Sequence, residues 1–212
     1  MILLRQFLSN ELHLDSEKYL NEFILYEKLL LDWNKKINLI SRKSESIEEH
    51  ILNSIFFLSK YKLNDIKSIV DIGTGGGFPG IPLKILFSEL NVLLVDSIQK
   101  KVNVLNDIIK QMNLKNIGSV CGRAEAISEN EVYKKKFDAV ISKAVSTLNN
   151  LFLWGNNFLN DSGVMLCIKG GDIKKELNEL NNLKYNFKAE VINFDTDKAY
   201  SIEDKKLIIL KK

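Results

Sequence analysis

A cluster of glycines directly follows a short apolar segment in the first half of the chain. Residues 69–72 are Ile-Val-Asp-Ile, and residues 73–80 read Gly-Thr-Gly-Gly-Gly-Phe-Pro-Gly. Glycine is required where a backbone turns sharply and where a ligand must contact the main chain. In an open α/β sheet, ligands bind beyond the carboxyl ends of the strands. The cluster therefore predicts a nucleotide-type binding loop at the end of a buried strand.

Three classes of nucleotide loop can be compared with this cluster. A P-loop would place lysine after its last glycine, whereas Gly80 is followed by isoleucine, so that class is excluded. A dinucleotide fingerprint, Gly-x-Gly-x-x-Gly, fits formally from Gly75 to Gly80. However, Pro79 and Pro82 flank its last glycine and remove amide donors that a pyrophosphate would need. The pattern Gly-x-Gly-x-Gly over residues 73–77 is typical of S-adenosylmethionine loops, although a turn without any ligand would also use glycines.

Asp96 is the second feature that indicates a nucleoside ligand. It ends the apolar segment 92–96, which we predict to be the next strand of the sheet. If the two strands are parallel neighbours, the carboxylate lies beside the glycine loop and can accept both hydroxyls of an adenosine ribose. Nicotinamide-dependent enzymes place an acid at the same point, so Asp96 does not distinguish S-adenosylmethionine from a nicotinamide cofactor. Its alternative role is to cap the helix that follows.

Polar residues also follow the later predicted strands. After the third strand come Arg123, Ala124 and Glu125, where a backbone amide and a short polar residue can contact an adenine edge. Glu125 could equally cap the next helix. After the fourth strand comes Lys143, where the cofactor's methionine end and a substrate would meet, and after the fifth comes Lys169.

The elements that must position these residues alternate along the chain. Helical spacing of apolar residues predicts helices over residues 16–34 and 46–60. Strands are predicted at 69–72, 92–96, 117–121, 137–141, 164–168, 189–194 and 207–210, and further helices at 79–88, 100–112, 148–159 and 172–183. Alternation of this kind indicates an α/β fold with a mostly parallel sheet. Because no helix separates the last two strands, we expect a closing antiparallel hairpin. We expect a helical cap over residues 1–65 and the ligand-binding domain over residues 66–212.

Composition limits the classes of protein that fit. The 212 residues are 45% hydrophobic and 27% charged, with a formal net charge of +3, which is ordinary for one globular domain. Cys121 and Cys167 are expected to be reduced thiols, and His13 and His50 are too few for a zinc site. No secretion signal and no apolar run of membrane-spanning length is present in this sequence, so a cytoplasmic location is expected.

Several ordered motifs resemble one family. They are Trp-Asn-Lys-Lys-Ile-Asn-Leu at 33–39, His-Ile-Leu-Asn-Ser at 50–54, Asp-Ile-Gly-Thr-Gly-Gly-Gly-Phe-Pro-Gly-Ile-Pro-Leu at 71–83, Leu-Val-Asp-Ser at 94–97, Gly-Arg-Ala-Glu at 122–125, Ser-Lys-Ala at 142–144 and Lys-Gly at 169–170. Together they resemble the ribosomal small-subunit methyltransferase G family, also called glucose-inhibited division protein B.

The resemblance implies a fold, a reaction and a partner. The fold is that of class I S-adenosylmethionine-dependent methyltransferases, a Rossmann-like, seven-stranded, mostly parallel sheet with an antiparallel last strand, plus an N-terminal helical cap. The reaction is methylation of N7 of one guanine in the decoding region of 16S rRNA. The partner is 16S rRNA or the small ribosomal subunit; no obligate protein partner and no membrane are implied.

The resemblance and the loop pattern together give a predicted site. The cofactor-binding residues are expected to be Gly73, Thr74, Gly75, Gly77, Phe78, Asp96, Ala124, Glu125 and Lys143. The RNA-binding cations are expected to be Lys35, Arg42, Arg123 and Lys169, with Lys36, Lys43 and Lys143 as further candidates. No metal is expected.

The chain departs from the family pattern in the segments 50–54 and 142–147. Lys143 stands where the family has arginine, which keeps the charge but loses the planar bidentate fork. Asn53 replaces the usual aspartate, and Val145 replaces a phenylalanine that could stack on the target base.

Guanine N7 carries a lone pair and no proton, so the expected reaction requires no general base. No catalytic acid or base is therefore assigned. Three alternatives remain at this point: a methyltransferase with another acceptor, a nicotinamide-dependent oxidoreductase, and an rRNA-binding protein without activity.

Overall fold

A computed structural model describes residues 1–42, 44–182, 187–194, 200, 202 and 204–211. Its strands are β1 Ser68–Ile72, β2 Asn91–Asp96, β3 Ile117–Cys121, β4 Phe137–Lys143, β5 Leu159–Gly170, β6 Lys188–Phe194 and β7 Lys205–Lys211. Its α-helices are α1 Ile2–Asn10, α2 Glu17–Asn34, α3 Glu48–Ile55, α4 Gly80–Leu86, α5 Gln99–Gln111, α6 Ala124–Ser128, α7 Leu148–Gly155 and α8 Lys174–Asn181. Short 3₁₀ helices, Phe56–Ser59 and Asn156–Phe158, continue α3 and α7.

The strands form a seven-stranded sheet in the order β3-β2-β1-β4-β5-β7-β6. The strands from β3 to β5 in this order pair in parallel, whereas β7 runs antiparallel to both of its neighbours, β5 and β6. The prediction of a mostly parallel sheet with an antiparallel last strand is thereby confirmed. The crossovers place the carboxyl ends of β1, β2, β3 and β4 at one edge of the sheet, and this edge carries the site.

Side chains alternate between two cores along each strand. On one face, which we call the cap face, residues of the strands join the core formed with α1, α2 and α3; examples are Ile69, Ile141, Ile168 and Leu207. On the opposite face, Val70, Val140, Cys167 and Ile208 join the core formed with α7 and α8. The strands are apolar on both faces because helices cover both faces of this sheet.

The cap helices are tied to the α/β body through the residues of the Trp-Asn motif. The indole N–H of Trp33, near the end of α2, donates to Asp107 Oδ2 on α5 at 2.7 Å. The side chain of Asn34 is buried, and its Oδ1 accepts hydrogen bonds from the backbone N–H groups of Leu39 and Ile40 at 2.8 and 3.1 Å. This motif therefore shapes the turn that ends α2, and it contributes to the fold rather than to a ligand site.

Three elements differ from the sequence-based prediction. The helix α1 was not predicted, although Leu4, Phe7 and Leu8 have helical spacing and are all buried. The predicted helix 148–159 ends at Phe158, and β5 begins at Leu159 rather than near residue 164. The register between β4 and β5 shifts near the start of the pair, which lets the polar residues 160–163 extend the strand. Among the described helices, none is long and apolar enough to cross a membrane.

Candidate cofactor and acceptor site

The glycine loop folds back against the end of β2. The backbone N–H groups of Gly73 and Thr74 both donate to Val95 O, at 2.8 and 3.1 Å. Gly73, Gly75 and Gly77 have φ values of +69°, +58° and +103°, in the region that only glycine adopts at little cost. The three alternating glycines are thus required by the turn itself.

A buried aspartate holds the two ends of this loop together. Asp71 Oδ2 accepts hydrogen bonds from Thr74 Oγ1 at 2.6 Å and from the backbone N–H of Gly80 at 2.9 Å. The hydroxyl of Thr74 is therefore directed into the protein, so any contact of Thr74 with a cofactor would have to come from its backbone. Asp71 Oδ1 is buried and has no hydrogen-bond partner among the described residues.

Asp96 lies where the sequence predicts it, at the end of β2 beside the glycine loop. Its Oδ2 accepts a hydrogen bond from Gly75 N at 3.0 Å, and its Oδ1 accepts one from Ile98 N at 2.9 Å. The side chain is 7% exposed. The carboxylate therefore fixes both the loop and the entry into α5. Each carboxylate oxygen can accept more than one hydrogen bond, so contacts to a ribose are still available.

One cavity brings together residues from several strand ends. It has a volume of about 390 Å³, and its lining includes Gly73, Asp96, Arg123, Ala124, Glu125 and Lys143. Six of the predicted site residues thus surround one space. Thr74, Gly75, Gly77 and Phe78 do not line it. A Cβ added to Gly75 would meet no atom closer than 4.0 Å, so this residue leaves open space at the loop.

The cavity also contains residues that the sequence analysis did not identify. Ile98, Lys101 and Trp154 line it as well. Ile98 is 47% exposed, an unusual value for isoleucine next to a buried acid, and its position two residues after Asp96 could have indicated a surface for a planar ring. Trp154 belongs to α7, which packs on the face of the sheet opposite the cap. No pattern in the neighbouring sequence predicts that its indole lines this cavity.

Glu125 does not cap the helix α6, which was its alternative role. It lies in the first turn of α6, whose N-terminal flanking residue Arg123 makes no side-chain capping bond. The carboxylate of Glu125 makes no hydrogen bond to any described residue, and the side chain is exposed. Both Glu125 and Arg123 therefore present their charges to the cavity and to solvent.

Phe78 points away from the cavity and into the cap. Its ring lies 5.5 Å from that of Tyr26 on α2 and 5.4 Å from that of His50 on α3. The ammonium of Lys143 lies over the same ring, 5.2 Å from its centroid. Phe78 thus connects the glycine loop, the cap helices and the end of β4, and its side chain is only 6% exposed.

Three ionisable groups on this side of the loop influence one another. Burial raises the pKa of Asp71 to about 7, although hydrogen bonds from Thr74 and Gly80 and the charge of Lys143 act in the other direction. Burial lowers the pKa of Lys143, and the Asp71 carboxylate opposes that effect. The pKa of His50 is lowered by burial and by the charge of Lys143, so its imidazole is neutral at neutral pH.

The predicted RNA-binding cations lie in different surroundings. Arg42 is exposed and lines a shallow depression on the cap with Lys35, whose ammonium is paired with Asp32 at 2.8 Å. Lys36 lies over the Trp33 ring, and Lys43 falls outside the described residues. The structure thus brings Lys35 and Arg42 together on the cap, apart from the cavity that Arg123 lines.

Lys169 has an extensive set of partners. Its Nζ lies 2.8 Å from Glu176 Oε2, and it donates to Ser146 O at 2.6 Å. Glu176 Oε2 also accepts a hydrogen bond from Leu148 N at 2.9 Å. These bonds join the end of β5, the loop after β4 and the helix α8. A contact between Lys169 and RNA would require this pair to open.

A second cavity of about 390 Å³ lies at the amino edge of the sheet, away from these residues. Leucines dominate its lining, including Leu12, Leu63 and Leu90, with Lys62 and Lys67 at its margin. It lacks the convergent polar groups of the Asp96 cavity, and the latter is therefore the better candidate for a nucleoside. Among the described residues, no group of three His, Cys, Asp or Glu side chains could hold a metal ion.

Comparisons with known proteins identify the family of this chain. The family model for rRNA small subunit methyltransferase G matches residues 19–203. The Ribosomal RNA small subunit methyltransferase G of Clostridium novyi (strain NT) is 38% identical over 169 residues, which cover 79% of this chain and 69% of that protein. The protein of the same name from Clostridium botulinum (strain 657 / Type Ba4) is 39% identical over 171 residues, covering 79% and 72%.

Solved structures show the same fold. An O-methyltransferase from Bacillus cereus in complex with SAH has a TM-score of 0.63 and 18% identity, covering 98% of this chain and 96% of that one. The architecture is that of class I S-adenosylmethionine-dependent methyltransferases, as predicted. The chain itself belongs to the rRNA small subunit methyltransferase G family.

Proposed function

We propose that this protein transfers the methyl group of S-adenosylmethionine to N7 of one guanine in 16S rRNA. The observation that carries the proposal is the single cavity in which Gly73, Asp96 and Ala124 converge from the ends of β1, β2 and β3. This is the arrangement that an adenosine requires, with a carboxylate for the ribose and an apolar slot for the base. Membership of the family supplies the acceptor.

The residues present fit S-adenosylmethionine. The Asp96 carboxylate is held in place by two backbone N–H groups, so it needs no rearrangement to accept ribose hydroxyls. Ile98 and Ala124 line the same cavity as this acid and offer apolar surface to the adenine. The glycine backbone at 73–75 and the charge of Lys143 lie where an amino-acid carboxylate would reach. When bound, the cofactor supplies a sulfonium methyl group that a lone pair can attack, with the thioether sulfur as the leaving group.

The role of the protein in this reaction is to position the reactants. Guanine N7 needs no deprotonation, so the site has to hold N7 in line with the methyl and sulfur at roughly 3–3.5 Å. The methylated purine gains positive charge, which carboxylates near the loop would stabilise. Asp71 and Glu49 both act electrostatically on Lys143, and they therefore offset its charge where the guanine is expected. The neutral state of His50 adds no further cation.

The decisive experiment is methyl transfer from radiolabelled S-adenosylmethionine to 16S rRNA from a strain that lacks this modification. Naked rRNA and assembled small subunits are assayed in parallel, because either could be the substrate. After nuclease digestion, the labelled nucleoside is identified by chromatography and mass spectrometry. The expected product is N7-methylguanosine at one site in one of the two substrates.

Two other results would contradict the proposal. Cofactor binding without label in either form of rRNA would assign the fold to a methyltransferase with another acceptor. Tight binding of reduced nicotinamide cofactor, with a change in its fluorescence, would support an oxidoreductase instead.

A further inference from the structure

Four lysines lie near the carboxyl edge of the sheet, two on each face: Lys143, Lys169, Lys205 and Lys206. Lys143 pairs with Ile168, and Gly170 pairs with Lys205. Directly paired residues share a face and alternate residues return to it. Lys143 and Lys205 therefore lie on the cap face with Ile168 and Leu207, whereas Lys169 and Lys206 lie on the opposite face.

The two pairs also differ in their partners. Lys169 is paired with Glu176, and Lys206 forms an ion pair with Asp204. Among the residues that the structure describes, neither Lys143 nor Lys205 has a carboxylate within 4.0 Å. Within the described part of the chain, the cap face of this edge thus carries two lysine ammonium groups without ion-pair partners, whereas those of the opposite face are paired with Glu176 and Asp204.

Lys205 lies opposite Gly170 of β5, which has no side chain. A Cβ added to Gly170 would lie 3.8 and 3.9 Å from the Cδ and Nζ atoms of Lys205, so the lysine side chain extends over this glycine. Neighbouring strands lie about 4.8 Å apart, so the backbones of β4 and β7 are separated by about 10 Å. Two long, flexible side chains can converge on one anion across that distance.

Only one of these lysines reaches the cofactor cavity. Lys143 lines that cavity and also lies over Phe78, beside His50 of the cap. Lys205 does not line the cavity, and it is partly exposed farther along the same face. An RNA strand that presents a base to the cavity from the cap side would pass its backbone over Lys205.

We propose that Lys205, together with Lys143, forms a phosphate site on the cap face of the sheet edge that binds the RNA backbone next to the target guanosine. This inference rests on the proposed function, because it takes the methyl acceptor to be an RNA strand. Lysine recognises phosphate as a point charge, so the site fixes the strand without reading its sequence. Cations that neutralise phosphates release counterions, which makes the contribution of each one visible in the salt dependence of binding.

The chain offers a matched control in the adjacent residue, Lys206. Three variants, Lys205→Ala, Lys205→Arg and Lys206→Ala, are compared with the parent protein for folding by circular dichroism and for SAH affinity by calorimetry. Binding of a fluorescein-labelled 16S rRNA fragment is then measured by anisotropy from 50 to 300 mM KCl, and KM and kcat for unmethylated 16S rRNA are determined.

For Lys205→Ala, we expect KM for rRNA to rise about fivefold and the slope of log K against log[salt] to become shallower by about 0.7–0.9. The kcat and the SAH affinity should stay within twofold. Lys205→Arg should restore the slope, because it keeps the charge, and Lys206→Ala should match the parent protein.

Equal slopes for Lys205→Ala and Lys206→Ala would overturn the phosphate site. So would a parallel loss of SAH affinity in Lys205→Ala, because Lys205 would then act through the cofactor. If the parent protein binds the RNA fragment but methylates no rRNA, the proposed function fails while the slopes still decide the role of Lys205. If the parent protein does not bind RNA at all, both proposals fail.

Discussion

Asp96 and Gly75 are joined by a hydrogen bond of 3.0 Å from the backbone N–H of the glycine to Oδ2 of the acid. This bond connects the end of β2 to the middle of the glycine loop. Because the other oxygen of Asp96 accepts from Ile98 N, one side chain fixes both the glycine loop and the start of α5. The acid thus has a structural role in addition to its expected contact with the ribose.

Replacing Asp96 should therefore weaken cofactor binding for two reasons. Asp96→Ala removes the ribose acceptor and releases the N–H of Gly75. We expect a loss of about 1.5–3 kcal/mol, roughly 10- to 150-fold in affinity for S-adenosylmethionine measured by calorimetry. Asp161→Ala, which changes a side chain that is 96% exposed, serves as the control and should bind normally. Unchanged affinity in a folded Asp96→Ala protein would remove Asp96 from the cofactor site.

The parts of the site that sequence could predict depend on local patterns. An apolar run followed at once by glycines predicts a strand and its loop, and the acid at the end of the next strand follows from the same logic. Gly73, Asp96, Ala124 and Glu125 accordingly line one cavity. Each of these residues lies within a few positions of a strand end, so only the order of neighbouring strands had to be inferred.

Other features could not be predicted because they depend on contacts between distant segments. Lys205 reaches the cap face because β7 inserts between β5 and β6, which no periodicity in the sequence specifies. Phe78 was expected to contact the cofactor, yet its ring lies among cap residues that come from α2 and α3. The hydroxyl of Thr74 is taken up by Asp71, and a buried carboxylate of this kind appears in the sequence only as one polar residue within a strand.

Glycines of the same loop should respond differently to alanine. At Gly80, an added Cβ would lie 2.3 Å from the buried Leu94 Cδ2 and 3.0 Å from Asp71 Oδ2. Gly80→Ala should therefore lower the free energy of unfolding by about 1–3 kcal/mol through overpacking. At Gly75, the added Cβ has open space, and the main cost is the positive φ, about 1–2 kcal/mol.

Cofactor affinity should separate the two glycine variants. Gly75→Ala places a methyl group in the space beside the loop, so we expect at least a tenfold loss of affinity, about 1.4 kcal/mol. Urea denaturation gives the stability of each protein, and calorimetry gives its affinity for SAH. If folded Gly75→Ala binds SAH as well as the parent protein does, the cofactor does not approach the loop at this residue.

The raised pKa of Asp71 should produce a measurable pH dependence of stability. In the unfolded chain an aspartate titrates near ~3.9, whereas burial raises the pKa of Asp71 in the folded protein to about 7. Between these values the folded state holds the proton more tightly, so the contribution of Asp71 to stability falls as pH rises from ~4 to ~7. The slope is at most about 1.4 kcal/mol per pH unit, and above pH ~7 the contribution levels off.

Asp71→Asn isolates this effect because asparagine does not titrate. The difference in unfolding free energy, variant minus parent, should increase from pH 5 to pH 7 and then remain constant to pH 8. Urea denaturation at each pH provides the measurement. A difference that does not change over this range would show that Asp71 has an ordinary pKa in the folded protein.

The ion pair between Lys169 and Glu176 should stabilise the loop after β4, which carries Val145. The ammonium is 11% exposed and the carboxylate 25%, and both also bond to the backbone of residues 146–148. Removing one partner leaves the other charge partly buried without compensation. Lys169→Met should therefore lower the unfolding free energy by about 1–3 kcal/mol and weaken SAH binding, since the loop lines the cofactor cavity.

A matched control and the RNA measurements distinguish this role from an RNA contact. Lys175→Met removes a pair that is 3.9 Å apart and whose lysine is 89% exposed, and it should change stability by less than about 0.5 kcal/mol. For Lys169→Met at saturating SAH, the salt dependence of RNA binding should equal that of the parent protein, because its charge is already neutralised by Glu176. A shallower salt slope together with unchanged stability would instead identify Lys169 as a phosphate contact, and the ion pair would then have to open when RNA binds.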